Sequence, residues 1–314
     1  MLRTLIRAAS RRGGESRLSI FIFHRVLPEP DPLFPDELDR AGFDQLVGWI
    51  SRWFTVLPLH QALHRLRQGD LPAGAAAITF DDGYADNLHQ AEPVLRRHGA
   101  CATLFVATGF LGGGCMWNDR VIESVRRTRH ERLHLPRVLP QPVELGTLTQ
   151  RQAAIGQLIG AIKYLEPAQR DAAVADVVAG AGIILPTDLM LTPDELRRWH
   201  AAGQQVGAHT VNHPILARLP EAEAVAEITR GRAELEAIVD ERVGLFAYPN
   251  GKPGVDYLPR HVEIVRELGF DAAVSTRWGV SSSRSPAFEL PRFTPWDRTR
   301  SRFGLRMLRQ LLAR

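Results

Sequence analysis

Apolar residues along the chain follow two periods. Short uninterrupted runs recur at residues 18–23, 54–56, 76–80, 102–107, 205–207, 245–247 and 272–275. Runs of this length without polar alternation predict strands covered on both faces. Between many of them the apolar spacing changes to three and four. In "FDQLVGWISRW", Phe43, Leu46, Val47 and Ile50 share one helix face. "LHQAEPVLRRHG" stops at Gly99 and "HVEIVRELGF" closes with Gly269, and glycine readily takes the left-handed conformation that ends a helix. "EAEAVAEITRGRAELEAIV" reads as a long amphipathic helix. "TPDELRRWHAAG" opens with Thr192 as N-cap, Pro193 in the first turn and Glu195 three residues after the cap. Strand and helix in alternation predict an α/β fold with a parallel sheet, and the number of strands suits a barrel better than a small open sheet.

Residues 108–190 break this rhythm. "TGFLGGGCMWNDR" reads as a glycine-rich loop, a proline-broken stretch follows (Pro136, Pro140, Pro142), and two helical segments come near 149–163 and 167–180. This reads as an insertion that covers the barrel mouth or packs beside it. The resulting division is a basic amphipathic segment at 1–17, a barrel at 18–297 carrying the insertion, and a basic amphipathic helix at 298–314. No internal repeat or low-complexity tract is present.

Charge sharpens the picture of the two ends. The chain of 314 residues is 45% hydrophobic and carries a formal net charge of +4. Residues 1–17 and 292–314 together hold +10, leaving −6 on the middle. A nucleic-acid groove needs clustered positive charge on the folded body, so that class is excluded. "MLRTLIRAASRR" and "FGLRMLRQLLAR" set Leu, Ile and Met at helical spacing among arginines. The favoured reading is two terminal helices packed on the body with a solvated arginine face; helices of this kind can also lie on an anionic membrane. Two cysteines, Cys101 and Cys115, rule out a disulfide framework or a cysteine-based zinc site and are expected as buried free thiols. No apolar run approaches a membrane span, and the N-terminus lacks the apolar core of a secretory signal. The chain is therefore expected in the cytoplasm, with peripheral contact at the inner membrane face. The oligomeric state is left open.

Two motifs carry chemistry. "AAAITFDDG" ends a buried strand on two adjacent carboxylates, Asp81 and Asp82, and functional residues of parallel barrels gather at the C-terminal ends of strands. Side by side at a buried strand end, two carboxylates need a cation or a proton. "VGAHTVNHP" ends another short strand at His209, with His213 four residues on, a spacing at which one helical turn would aim both rings at one point. One Asp and two His make a facial set for a divalent metal with positions left open.

These residues resemble the polysaccharide deacetylases, also called carbohydrate esterase family 4 or the NodB-homology domain. The first family motif stands as Thr79-Phe80-Asp81-Asp82-Gly83 and the second as His209-Thr210-Val211-Asn212-His213. The third is degenerate: Ala247 stands where the family has an arginine, followed by Tyr248, Pro249, Asn250 and Gly251. The resemblance covers most of residues 18–295 outside the insertion. It implies a distorted (β/α) barrel and hydrolysis of an N-acetyl group on an amino sugar. It assigns Asp82, His209 and His213 to one divalent ion, zinc or a similar one (cobalt, nickel, manganese), Asp81 to the general base, and the Asn250 backbone N–H to the oxyanion, with Tyr248 and Pro249 in the same substrate-binding stretch.

The usual late histidine acid is missing from "FELPRFTPWD". Instead "FIFHRV" puts His24 at a strand end, similar to the rearranged branch of poly-N-acetylglucosamine deacetylases, and His24 takes the acid role. Arg292 is the candidate to replace the missing motif-three arginine. Tyr84, Trp117, Trp278 and Trp296 are candidates to stack on sugar rings. The expected partner is an N-acetylated glycan of a polysaccharide or of a lipid-linked or nucleotide-linked precursor. An O-acetyl esterase or deformylase with the same metal set, and a non-catalytic carbohydrate-binding barrel, remain as alternatives.

Overall fold

The computed structural model describes residues 2–11 and 15–313. In chain order the elements are α1 (Leu2–Ala9), β1 (Ser19–Phe23), α2 (Arg40–Trp53), β2 (Thr55–Val56), α3 (Leu59–Gln68), β3 (Ala75–Phe80), α4 (Glu92–Arg97), β4 (Ala102–Val106) and α5 (Trp117–Arg127). A small hairpin follows, β5 (Arg132–Leu133) and β6 (Val143–Glu144), then α6 (Leu148–Ile162), α7 (Pro167–Ala181), α8 (Pro193–Ala201), β7 (Gln205–Ala208), α9 (Glu221–Val239), β8 (Leu245–Ala247), α10 (Pro259–Glu267), β9 (Ala272–Val274) and α11 (Arg300–Leu312). Each expected strand is present within one residue at either end.

The main sheet runs β1-β3-β4-β7-β8-β9, with β2 beside the start of β3. Every pairing in it is parallel. The ends are joined by residues 290–293, which bridge in parallel to Val274 on one side and to Phe21 on the other. Leu290 N donates to Ala273 O at 2.9 Å, and Phe293 N donates to Ile20 O at 2.8 Å. The sheet therefore curls into a barrel whose last stave is this short irregular segment.

Alternate strand residues face different cores, which is why the strands are apolar throughout. Phe21, Ile78, Leu104 and Phe246 pack outward under α2, α4, α8 and α9. Ile20, Ala77, Phe105 and Ala247 pack inward, where Leu59, Leu63 and Leu66 of α3 join them. Because all strands are parallel, their C-terminal ends share one rim. The residues just beyond β1, β3 and β7 on that rim are His24, Asp81 and His209.

The insertion has a core of its own, built from Val121, Val125, Leu158, Ile162, Val174 and Val177. Its first helix, α5, departs from the expected loop. The glycines end at Gly114, and Asp119 reaches back to Met116 N at 3.3 Å to start the helix at Trp117. Thr192 and Glu195 cap α8 reciprocally as their spacing predicts. The terminal helices pack on each other and on the barrel, with Ile6, Phe303, Met307 and Leu311 buried. Residues 1, 12–14 and 314 of the terminal segments lie outside the described residues. Cys101 and Cys115 are free thiols, half-buried rather than enclosed as expected, because each sits at an element boundary instead of inside a core. No described helix is long and apolar enough to cross a membrane.

Candidate active site

The two adjacent carboxylates point to different partners because the backbone turns between them. Asp82 takes φ +78°, the left-handed region that non-glycine residues adopt only when the surroundings enforce it. Asp81 receives a bidentate pair of hydrogen bonds from Arg292, Nη1 to Oδ1 and Nη2 to Oδ2, both 2.7 Å. Arg292 is itself locked, donating through Nε to Ser275 O at 2.9 Å and through Nη1 to Thr79 Oγ1 at 3.2 Å. Both partners are buried. Burial alone would raise the Asp81 carboxyl, but the guanidinium outweighs it and holds the group below the ordinary carboxylate range.

Asp82 turns the other way. Its Oδ1 lies 3.5 Å from Nε2 of His209 and 3.5 Å from Nε2 of His213, and all three atoms lie within 4.8 Å of one another. That oxygen is sealed from solvent with no hydrogen-bond partner, an arrangement that costs free energy unless a cation completes it. His209 fits the same reading. Its Nδ1 donates to Ala247 O at 2.7 Å, which turns Nε2 toward Asp82. Against the lowering effect of burial, the Asp82 contact and the two carboxylate charges hold the ring above its ordinary pKa, and a cation at Nε2 would take the place of that proton. Burial pushes His213 down to about 3, so its ring is neutral. Ligand bonds of about 2.0–2.2 Å to a shared ion put tetrahedral donors roughly 3.5 Å apart, and one carboxylate with two imidazoles suits zinc, cobalt, nickel or manganese.

The loop that carries the histidines is not the helical turn expected from its spacing. Thr210 and His213 have φ +68° and +50°, and a tight polar turn aims the rings instead. Thr210 Oγ1 accepts from His213 N at 3.1 Å, while Glu227 of α9 accepts from Val211 N at 3.0 Å and Asn212 N at 2.8 Å. Gly231 lets α9 press against this loop, since a β-carbon there would sit 2.7 Å from Thr210 O. Asn250 has φ +58°, so four of the five described non-glycine residues with positive φ surround this one site. Asp81, Asp82, His209, His213 and Asn250 share a cavity of about 250 Å³ with His24.

A scan against protein-family models matches residues 68–273 to the model described as Polysaccharide deacetylase. The chain belongs to the polysaccharide deacetylase family. The Bacillus subtilis (strain 168) protein named "Putative polysaccharide deacetylase YxkH" is 29% identical over 99 residues, which is 31% of this chain and 34% of that protein. The chain thus matches about a third of the length of that curated relative. Among solved structures, IcaB from Ammonifex degensii superposes with a TM-score of 0.60 at 19% identity, covering 95% of this chain and 97% of the other. The Streptococcus pyogenes deacetylase PplD, solved in complex with acetate, gives 0.59 at 18%, covering 89% and 92%. At these identities the structures share the fold, the distorted (β/α) barrel of the deacetylases.

His24 and Arg292 stand outside the segment that matches the family model. His24 is exposed at the cavity rim. Its carbonyl is held by Asn87 Nδ2 at 2.8 Å, and the next residue, Arg25, pairs with Asp86 at 2.8 Å. Trp117 lines the cavity, together with Ile159 of α6 and Lys163 just past its end. Tyr84 stands beside it, with its hydroxyl 3.1 Å from both oxygens of Asp119. Burial first, and then the charge of Asp82, push Asp119 up to about 7 against the pull of Arg25.

Three expectations do not hold at the level of side chains. Tyr248 is enclosed in the outer core, stacked on Tyr257 at 3.8 Å and donating to Phe288 O at 3.0 Å. Pro249 is buried and absent from the cavity wall, so of this stretch only Asn250 reaches it. Trp278 and Trp296 tilt against each other at 4.8 Å on the outer surface and do not line the cavity. Asp86, Asn87, Glu227 and Gly231 are residues that sequence reasoning passed over. Each acts on residues distant in sequence, Asp86 on Arg25, Asn87 on the His24 carbonyl, and Glu227 and Gly231 on the histidine loop, for which the sequence holds no local signal.

Replacing Arg292 by Gln leaves Asp81 buried without its counter-charge, so the carboxyl rises. The acidic limb of kcat/KM against pH is expected to move up by about one unit or more, with Arg292→Lys intermediate. An unshifted limb in a folded Arg292→Gln variant contradicts the pairing's role.

Proposed function

We propose that this chain is a metal-dependent hydrolase that removes N-acetyl groups from amino sugars of a polysaccharide or its lipid-linked precursor. The observation that carries the reading is the joint geometry of Asp82 with His209 and His213 beside the Asp81–Arg292 pair. Membership of the family, which is generally metal-dependent, supports the same reaction class. In this reading Asp82, His209 and His213 hold the ion. A divalent ion held there supplies a Lewis acid that polarises an acyl oxygen and acidifies water.

The remaining steps fall to the chain's own residues. Asp81, kept ionised by Arg292, takes the proton of the attacking water as general base. Asn250, on the same cavity wall, offers its backbone N–H to the developing oxyanion. An amine leaves poorly unless protonated, and His24 at the rim donates that proton. A cavity of about 250 Å³ lies below the roughly 300–1,000 Å³ of sites for larger ligands, which suits one sugar with its acyl group and leaves the rest of a glycan outside. Acetate release from a panel of N-acetylated oligosaccharides tests this. Chelator is expected to abolish turnover, and Asp81→Asn and His24→Ala each to lower it by about 10²–10⁴-fold. Release from O-acetylated or N-formylated sugars alone moves the reading to an esterase or deformylase. Full activity in Asp81→Asn removes the base assignment, and full activity in His24→Ala removes the acid assignment.

We propose also that the terminal helices rest on an anionic membrane surface. The support is charge and exposure together. Leu5, Leu305 and Leu312 are 46%, 52% and 45% exposed, and Trp278 and Trp296 lie open near Arg306. Arg3, Arg302 and Arg309 are exposed without an ion-pair partner among the described residues, and neither helix holds an acidic residue. Such a face joins apolar insertion to attraction by anionic lipid. Flotation with phosphatidylglycerol vesicles is expected to carry the protein upward, with loss at high salt or on Leu305→Asp. Protein that stays at the bottom of the gradient at low salt contradicts it.

A further inference from the structure

The catalytic cavity is not the largest in the molecule. A second one, of about 580 Å³, adjoins it, and Trp117 lines both. Two helices begin at its wall. Trp117 and Arg120 stand in the first turn of α5, and Pro167 and Arg170 in the first turn of α7. Helix N-termini carry partial positive charge and unpaired N–H groups.

Arg170 is the decisive residue. It is 7% exposed, yet no carboxylate lies within ion-pair distance of it among the described residues. Its Nε is enclosed without an acceptor, and so is that of Arg120. The contact found for the Arg170 guanidinium is the Trp117 ring, 5.5 Å away. An enclosed guanidinium N–H without an acceptor is unfavourable by itself, in the same way as the orphaned oxygen of Asp82.

The acids of this wall do not answer it. Glu227 is engaged by the backbone of Val211 and Asn212 and by the Asn212 amide. Asp171 and Glu223 are exposed at the margin, where water screens them. Arg230 is already paired with Glu234 at 3.0 Å. Asp171 and Glu227 act on Arg170 only as charges without direct contact, and burial outweighs them; what remains without a direct partner is the enclosed Nε of Arg170 and of Arg120.

We infer that this cavity binds an oxyanion carried by the substrate, a phosphate or a sugar carboxylate, next to the sugar being deacylated. The inference rests on the hydrolase reading above and names its substrate class: a negatively charged glycan or glycosyl phosphate rather than a neutral one. Arg170 and Arg120 hold the anion by charge-assisted hydrogen bonds. Trp117, which lines both cavities, offers a face to the ring between the anion and the acyl group.

Equilibrium binding separates this inference from the reading it rests on. Calorimetric titrations would compare N-acetylglucosamine 1-phosphate, a uronate-containing disaccharide and neutral di-N-acetylchitobiose on the wild type, Arg170→Gln and Arg120→Gln. The expected result is tighter binding of one anionic sugar than of the neutral one. That preference should fall about tenfold or more in Arg170→Gln, with neutral-sugar binding unchanged. Which anionic arm binds distinguishes phosphate from carboxylate. Should Arg170→Gln fail to fold, Arg120→Gln decides, and it is expected to weaken anionic binding in the same direction. No anionic preference in the wild type, or a preference that survives both substitutions, overturns the inference. If the anionic preference is present but no acyl group is released from any substrate, the hydrolase reading fails while the anion site stands.

Discussion

Two neighbouring buried carboxylates at the barrel mouth are the constraint on which the rest depends. Ionised side by side without compensation, Asp81 and Asp82 would repel each other and lose their hydration. The fold separates them by rotation rather than by distance. The left-handed backbone at Asp82 sends one carboxylate to Arg292 and the other to the two histidines. One is neutralised permanently by a guanidinium held at both ends. The other is left with an oxygen that no protein donor satisfies. In the proposed reading, a fixed base and a cation site both derive from this one dipeptide.

Barrel closure is what makes this possible. The Arg292 side chain reaches Asp81 across 211 residues of sequence because residues 290–293 serve as the last stave between β9 and β1. The family's third-motif arginine is absent, and Ala247 occupies its place. The Ala247 carbonyl instead accepts from His209 Nδ1 and turns Nε2 of that ring toward Asp82. The positive φ angles at Asp82, Thr210, His213 and Asn250 gather on the same rim. Strain of this kind persists where surrounding contacts enforce it; in the histidine loop Glu227 and the close approach of α9 at Gly231 do so.

Legibility followed locality. The strands were readable because burial on both faces removes polar alternation, and the Asp-Asp-Gly and His-to-His spacings were readable because each lies within five residues. Arg292 could be set beside the catalytic Asp only through the resemblance, with a solvated surface arginine as the equal alternative, since nothing near it in sequence decides between them. The histidine turn was mistaken for a helical one because spacing alone cannot report a backbone that turns left-handed. Helix α5 was hidden by the three glycines before it. Tyr248 looked functional by position in a motif, but strand β8 ends there and its side chain follows the outer core. Arg170 gave no signal, because burial without a partner is a property of the folded molecule alone.

The most direct measurement is metal content of the purified, dialysed chain by mass spectrometry, for wild type, Asp82→Asn and His209→Gln. The account predicts about one divalent ion per wild-type chain, and lost or greatly weakened binding in both folded variants. A wild-type chain that takes up no ion from zinc-, cobalt- or manganese-containing buffer, or variants that retain it fully, would contradict the account.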